Sequence, residues 1–137
     1  MPNLKQNADG SMGLQGKDLG DGEFVNVDLK YVAGGVTSFS SSVFSRAMQV
    51  KAITGCPDTI TTNAVTATIY QAPSGTAIGS GTALHSGTYS GQGTAATNQS
   101  LTVTNGAIPA GSRIGLVWSG SPGAAGAGVV TVTLAPL

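Results

Sequence analysis

Few residues in this chain have side chains able to do chemistry. His85 is the only histidine and Cys56 the only cysteine. Asp58 is the one acid beyond the first thirty residues, and Arg113 is the only charge after it. A Ser-His-acid hydrolase would have to use His85. Ser86 adjoins it, but successive residues on a strand point to opposite faces. A metal centre needs three or four ligands from His, Cys, Asp and Glu. His85, Cys56 and Asp58 make at best one poor site. Glycoside hydrolysis needs a carboxylate pair, and the strand region has none. No GxxxxGK[ST] loop is present, and the glycines from Gly123 to Gly128 have no helix after them. Asn98-Gln99-Ser100 matches a glycosylation acceptor and reads as a chance match. The chain is therefore expected not to be an enzyme and to use no cofactor or metal. Replacing His85 is expected to change nothing measurable.

Three aromatics and one arginine remain. Trp118 lies on an alternating strand and is expected in the core. A sugar-stacking platform of Trp118 with Tyr70 and Tyr89 is the functional alternative. Cys56, before Pro57, is expected to pack as a small apolar residue. Arg113 is isolated in a neutral half-chain, and Asp58 or a carboxylate of the N-terminal segment is its expected partner. An isolated arginine of this kind suits a subunit contact.

The elements that must carry these residues read as strands. Val25, Val27, Leu29 and Tyr31 alternate with Asn26, Asp28 and Lys30, the period of a half-buried strand. Residues 36–46 read as a Ser-rich loop with a strand fragment. Residues 47–54 form a second strand, with Met48, Val50 and Ala52 on one face, and Cys56-Pro57-Asp58 closes it as a turn. Residues 65–71 put Val65, Ala67 and Ile69 on one face and Thr66, Thr68 and Tyr70 on the other. Short pieces follow at 83–85 and 88–89, then strands at 99–104, 113–118 and 129–134. Glycine and proline interrupt most windows long enough for a helix. Seven or eight short strands with frequent turns mean a β-sandwich or barrel, and a jelly roll is the common form. Gly-Thr recurs every six residues from Gly75 to Gly93. The period ends after about one coil's length, too little for a solenoid, so short strands joined by Gly-rich turns are expected instead.

Residues 1–23 read as an extended, glycine-punctuated arm, with Met12, Leu14 and Leu19 as its anchors against a partner. Residues 24–137 form the single β-domain. The net charge is +0 and only 9% of residues are charged, against roughly a quarter in ordinary domains. Scattered bases matched by acids argue against nucleic acid as a partner. No apolar run is long enough to span a membrane, and the N-terminus has no secretory h-region. Synthesis in a cytosol follows as the expectation, and the lone cysteine allows no internal disulfide.

Several segments resemble small structural proteins of tailed bacteriophages. They are residues 44–53 (FSRAMQVKAI), 64–78 (AVTATIYQAPSGTAI), 81–88 (GTALHSGT), 93–102 (GTAATNQSLT), 108–115 (IPAGSRIG) and 129–136 (VVTVTLAP). The resemblance covers roughly residues 43–136 and implies a capsid cement, or head decoration, protein. That family implies a jelly-roll or similar sandwich on the outer surface of the virion, made in the host cytoplasm. It implies binding to the major capsid protein and to itself as a homodimer or homotrimer, with no nucleic acid or membrane partner. Met12, Leu14, Leu19, Phe24 and Arg113 are the candidate capsid or subunit contacts. A β-sandwich adhesin or carbohydrate-binding fibre or tail module is the alternative.

Overall fold

The computed structural model describes residues 24–32, 34 and 36–137. The expected arm, with Met12, Leu14 and Leu19, lies outside the described residues. Eleven strands follow in chain order. They are β1 (Val25–Val32), β2 (Ser38–Ser40), β3 (Met48–Thr59), β4 (Thr66–Pro73), β5 (Thr82–Ala83) and β6 (His85–Ser86). Then come β7 (Tyr89–Ser90), β8 (Gln99–Val103), β9 (Ala107–Ile108), β10 (Ser112–Trp118) and β11 (Ala127–Pro136). Among the described residues the only helical turn is a 3-10 turn at Ile78–Ser80.

The strands make two antiparallel sheets packed as a β-sandwich. The first has the order β1-β11-β3-β8-β6, with β9 beside β3. The second has the order β2-β10-β4-β5, with β7 also on β4. Leu29, Tyr31, Val50, Ile53, Val130, Val132 and Leu134 face inward from the first sheet. Ala67, Ile69, Ile114, Leu116 and Trp118 meet them from the second. Each fully buried aliphatic or aromatic side chain contributes about 1.5–3 kcal/mol of transfer free energy. The expected inward faces of β1, β4, β10 and β11 are those observed.

β3 departs from expectation twice. Cys56-Pro57-Asp58 does not turn the chain; the strand runs through it to Thr59. Pro57 is tolerated because the β3–β11 register shifts there, between Ala127 and Gly128, and a bulge accommodates a residue without an N–H. A second shift, between Thr133 and Leu134, reverses the inward face within β3. Val50 is buried before it and Ile53 after it, and Ala52 is exposed. Plain alternation from Met48 therefore puts Ala52 on the wrong side.

Three aromatics join the sheets. Tyr31 of β1 meets Trp118 edge-on at 5.0 Å between ring centroids and Tyr89 at 6.0 Å. The Tyr31 and Tyr89 hydroxyls share a buried 2.6 Å hydrogen bond, in which either can donate. Small residues make the room. A Cβ on Gly55 would collide with the Tyr89 ring, and one on Gly128 with the Tyr31 hydroxyl and the Cys56 carbonyl. The Trp118 indole N–H is buried with no hydrogen-bond partner among the described residues, a cost that the ring's buried apolar area offsets.

Burial removes water from both phenols and raises their pKa above the ordinary value of 10.0. The shared bond opposes the rise at Tyr31 and adds to it at Tyr89. Stability from such groups is fully present below the unfolded pKa and is lost as pH rises above it. Chemical denaturation across alkaline pH should therefore show stability falling above about pH 10, by up to about 1.4 kcal/mol per pH unit for each phenol. A Tyr31→Phe/Tyr89→Phe double variant should fall less steeply. Parallel curves for the two proteins would exclude the pair as the cause.

Candidate functional site

His85, the first residue to test for chemistry, sits where the chain changes sheets. β5 pairs with β4 in the second sheet, and β6, two residues on, pairs with β8 in the first. Leu84, fully buried, is the crossing point. A crossing strand leaves backbone groups without ladder partners, and buried ones must be satisfied. Leu84 N–H donates to the Ile69 carbonyl at 2.9 Å, and its own carbonyl accepts from Thr104 and Asn105 N–H. Ile69 N–H, in turn, donates to His85 Nε2 at 2.9 Å. His85 Nδ1 lies 3.1 Å from the Ser86 carbonyl. One neutral tautomer satisfies both contacts, with the proton on Nδ1 and the lone pair on Nε2. The imidazole thus stands in for a backbone carbonyl. It is 5% exposed, and Ser86 points away from it into solvent.

Gln99 repeats the device between β8 and β7. Its side-chain carbonyl accepts from Ser90 N–H at 2.8 Å and its amide donates to the Ser90 carbonyl at 2.9 Å. A side chain here makes the reciprocal pair that a strand would make. Gln92 donates to the carbonyls of Thr61 and Thr62 in the same manner. Sequence reasoning missed these roles. The one available signal is a run of amide and imidazole side chains where charges are absent.

Cys56 is half-buried, opposite Val129 on β11, and Asp58 is exposed further along β3. Among the described residues no group of three His, Cys, Asp or Glu is placed to hold a metal ion. Trp118 is in the core as expected, and Tyr89 is fully buried beside it. Neither ring offers a face to a sugar. Tyr70 is half-buried.

Arg113 belongs to the outer face of the second sheet. It donates to Ser40 Oγ at 3.0 Å and to the Thr76 carbonyl at 2.7 Å. Asp58, its expected partner, is on the other sheet. Thr76 lies in the loop that carries the 3-10 turn across the outer face of β10. Ile78, from that turn, is buried against Gly115, where any Cβ would collide with Ile78 and the Phe39 carbonyl. Arg113 therefore fastens a strap of its own chain over β10. Phe24, ahead of β1, is 61% exposed.

A cleft of about 400 Å³ opens where Gln49, Gln71, Thr82, Thr104 and Asn105 converge beside Gly106. Its groups donate and accept neutral hydrogen bonds and bring no charge. Such a surface suits peptide backbone or hydroxyl groups.

No family model matches the chain, and no curated protein matches it. Among solved structures it is similar to a chain in the structure of infectious bursal disease virus, Gx strain. The identity is 18% and the TM-score 0.36, over 83% of this chain and 32% of that one. This chain thus spans less than half the length of that neighbour.

Substitutions at two positions check these assignments. His85→Leu leaves Ile69 N–H without an acceptor and should cost about 1–3 kcal/mol in urea denaturation. His85→Gln, which keeps an acceptor, should cost less. The bond from Ile69 N–H gives His85 a place in the stability of the fold. Arg113→Ala should leave the sandwich folded while hydrogen exchange over residues 74–81 accelerates; unchanged protection there would exclude the strap role.

Proposed function

We propose that this chain is a structural virion protein of the cement type. It binds the outside of a phage capsid and stabilises it by bridging neighbouring major capsid protein subunits. One observation carries the reading: most side chains with reactive potential are spent on holding the fold together. His85 completes a sheet crossing, Tyr89 and Trp118 fill the core, and Arg113 holds a strap. What faces outward is hydroxyl-rich and carries few charges. On the outer face of the first sheet, Thr131 and Thr133 donate to Asp28 and Asn26.

A cement protein acts through binding free energy. A bridge across two capsomers stabilises both by mass action. Repetition over a shell makes modest affinities effective. A neutral surface lowers the cost of docking, because each unpaired charge taken from water is expensive. The phage-like segments quoted above lie on β3, β4, β8, β10, β11 and the crossings between them, so the resemblance follows the frame of the sandwich. Met12, Leu14, Leu19 and Phe24 are the proposed capsid anchors.

Purified protein should bind expanded heads that lack it and raise their thermal resistance. Absence of binding at micromolar concentration would overturn the reading. Deleting residues 1–23 should leave the β-domain folded and reduce head occupancy; unchanged occupancy would remove the arm from the contact.

A further inference from the structure

The first sheet ends in a long strand. β1 has eight residues and, among the described residues, one hydrogen-bonded neighbour, β11. The other sheet ends are short: β6 has two residues, β2 three and β5 two. Short edges are self-protecting, whereas a long regular edge presents a row of free backbone donors and acceptors. β1 contains no proline, and its register with β11 runs unbroken from Val25 to Val32. Its flanks are apolar and open to solvent: Phe24 and Val32 are each 61% exposed and Val25 37%.

The charges on β1 select a partner. Asp28 and Lys30 flank Leu29 and both project, exposed, from the outer face. In an antiparallel pair, directly opposite residues share a face. A two-fold axis through Leu29 puts Asp28 opposite Lys30 of a second copy, and Lys30 opposite its Asp28. Moving the axis one residue, to Asp28 or to Lys30, sets that charge against its own copy. The same Leu29 register brings Phe24 diagonally beside Val32 of the second copy, within reach of an aromatic ring. On the inner face it places Leu29 against Leu29 and Val27 against Tyr31. Opposite charge, apolar cover and backbone pairing all coincide in this register.

We propose that β1 pairs antiparallel with β1 of a second copy about a two-fold axis through Leu29, so that the first sheet continues across a homodimer. The proposal does not depend on the capsid reading, since it concerns the free protein. Sedimentation of the full chain should show a dimer. Asp28→Lys and Lys30→Asp each replace two attractive pairs with two repulsive ones and should weaken it about tenfold or more. Asp28→Lys also gives up the Thr131 hydrogen bond, so restoration is the stricter test. An equimolar mixture of the two variants should recover dimer, as should the double swap Asp28→Lys/Lys30→Asp. Circular dichroism and thermal unfolding would verify that each variant is folded. A monomeric full chain, single variants that dimerise as tightly as the parent, or folded variants that do not recover on mixing would each overturn the proposal.

Discussion

A hydrogen bond between two neutral hydroxyls, Tyr31 and Tyr89, ties the two sheets together at the centre of the core. Much of the surrounding structure is arranged to permit it. Tyr31 comes from the edge strand of one sheet and Tyr89 from a two-residue strand of the other. Their rings pack edge-on or tilted against Trp118. Aromatics of this size fit only where the facing backbone lacks side chains, and Gly55 and Gly128 provide that space. Gly91 does the same beside Trp118 and Thr61. Part of the glycine content is therefore a packing requirement of three rings.

The middle of the chain is governed by a second form of the same constraint. Between residues 82 and 90 the chain passes from the second sheet to the first and back. Each passage breaks a ladder and leaves buried backbone groups to be paired. His85 and Gln99 supply the missing partners with side-chain atoms. Neutral groups suit this task, because a buried ion would add a desolvation cost far larger than the bond it makes. The scarcity of charge in the back half and the presence of amides and one imidazole thus have one physical explanation. The single arginine there works from the outer face, where its head reaches a hydroxyl and a carbonyl.

A frame held this way leaves its outer surfaces with hydroxyls, amides and small apolar groups. That composition favours a role in which broad contact, more than any single reactive side chain, does the work. Two of the remaining charges, Asp28 and Lys30, sit on β1, the strand that ends the sheet. Edge strands ordinarily use charge to discourage pairing. Alternating signs two residues apart discourage most registers and favour one, so the same residues can specify a partner.

Most of the strands and their faces are legible in the residue pattern. Alternation in Val25–Tyr31, Val65–Ile69, Ile114–Trp118 and Val130–Leu134 is a local consequence of a half-buried pleat, and it held in the structure. Among the described residues the absence of long helices followed equally locally, from glycine and proline spacing and from the alternation of β-branched residues. Alternation failed in β3, where bulges set by the register with β11 shift the face and let Pro57 remain in the strand. Tertiary structure alone decided the duties of His85, Gln99 and Arg113. Their partners are backbone atoms, at Ile69, Ser90 and Thr76, and every residue type carries the same backbone. A sequence records which side chains have donors and acceptors. Which carbonyls and amides are left wanting one is settled only when the sheets are assembled.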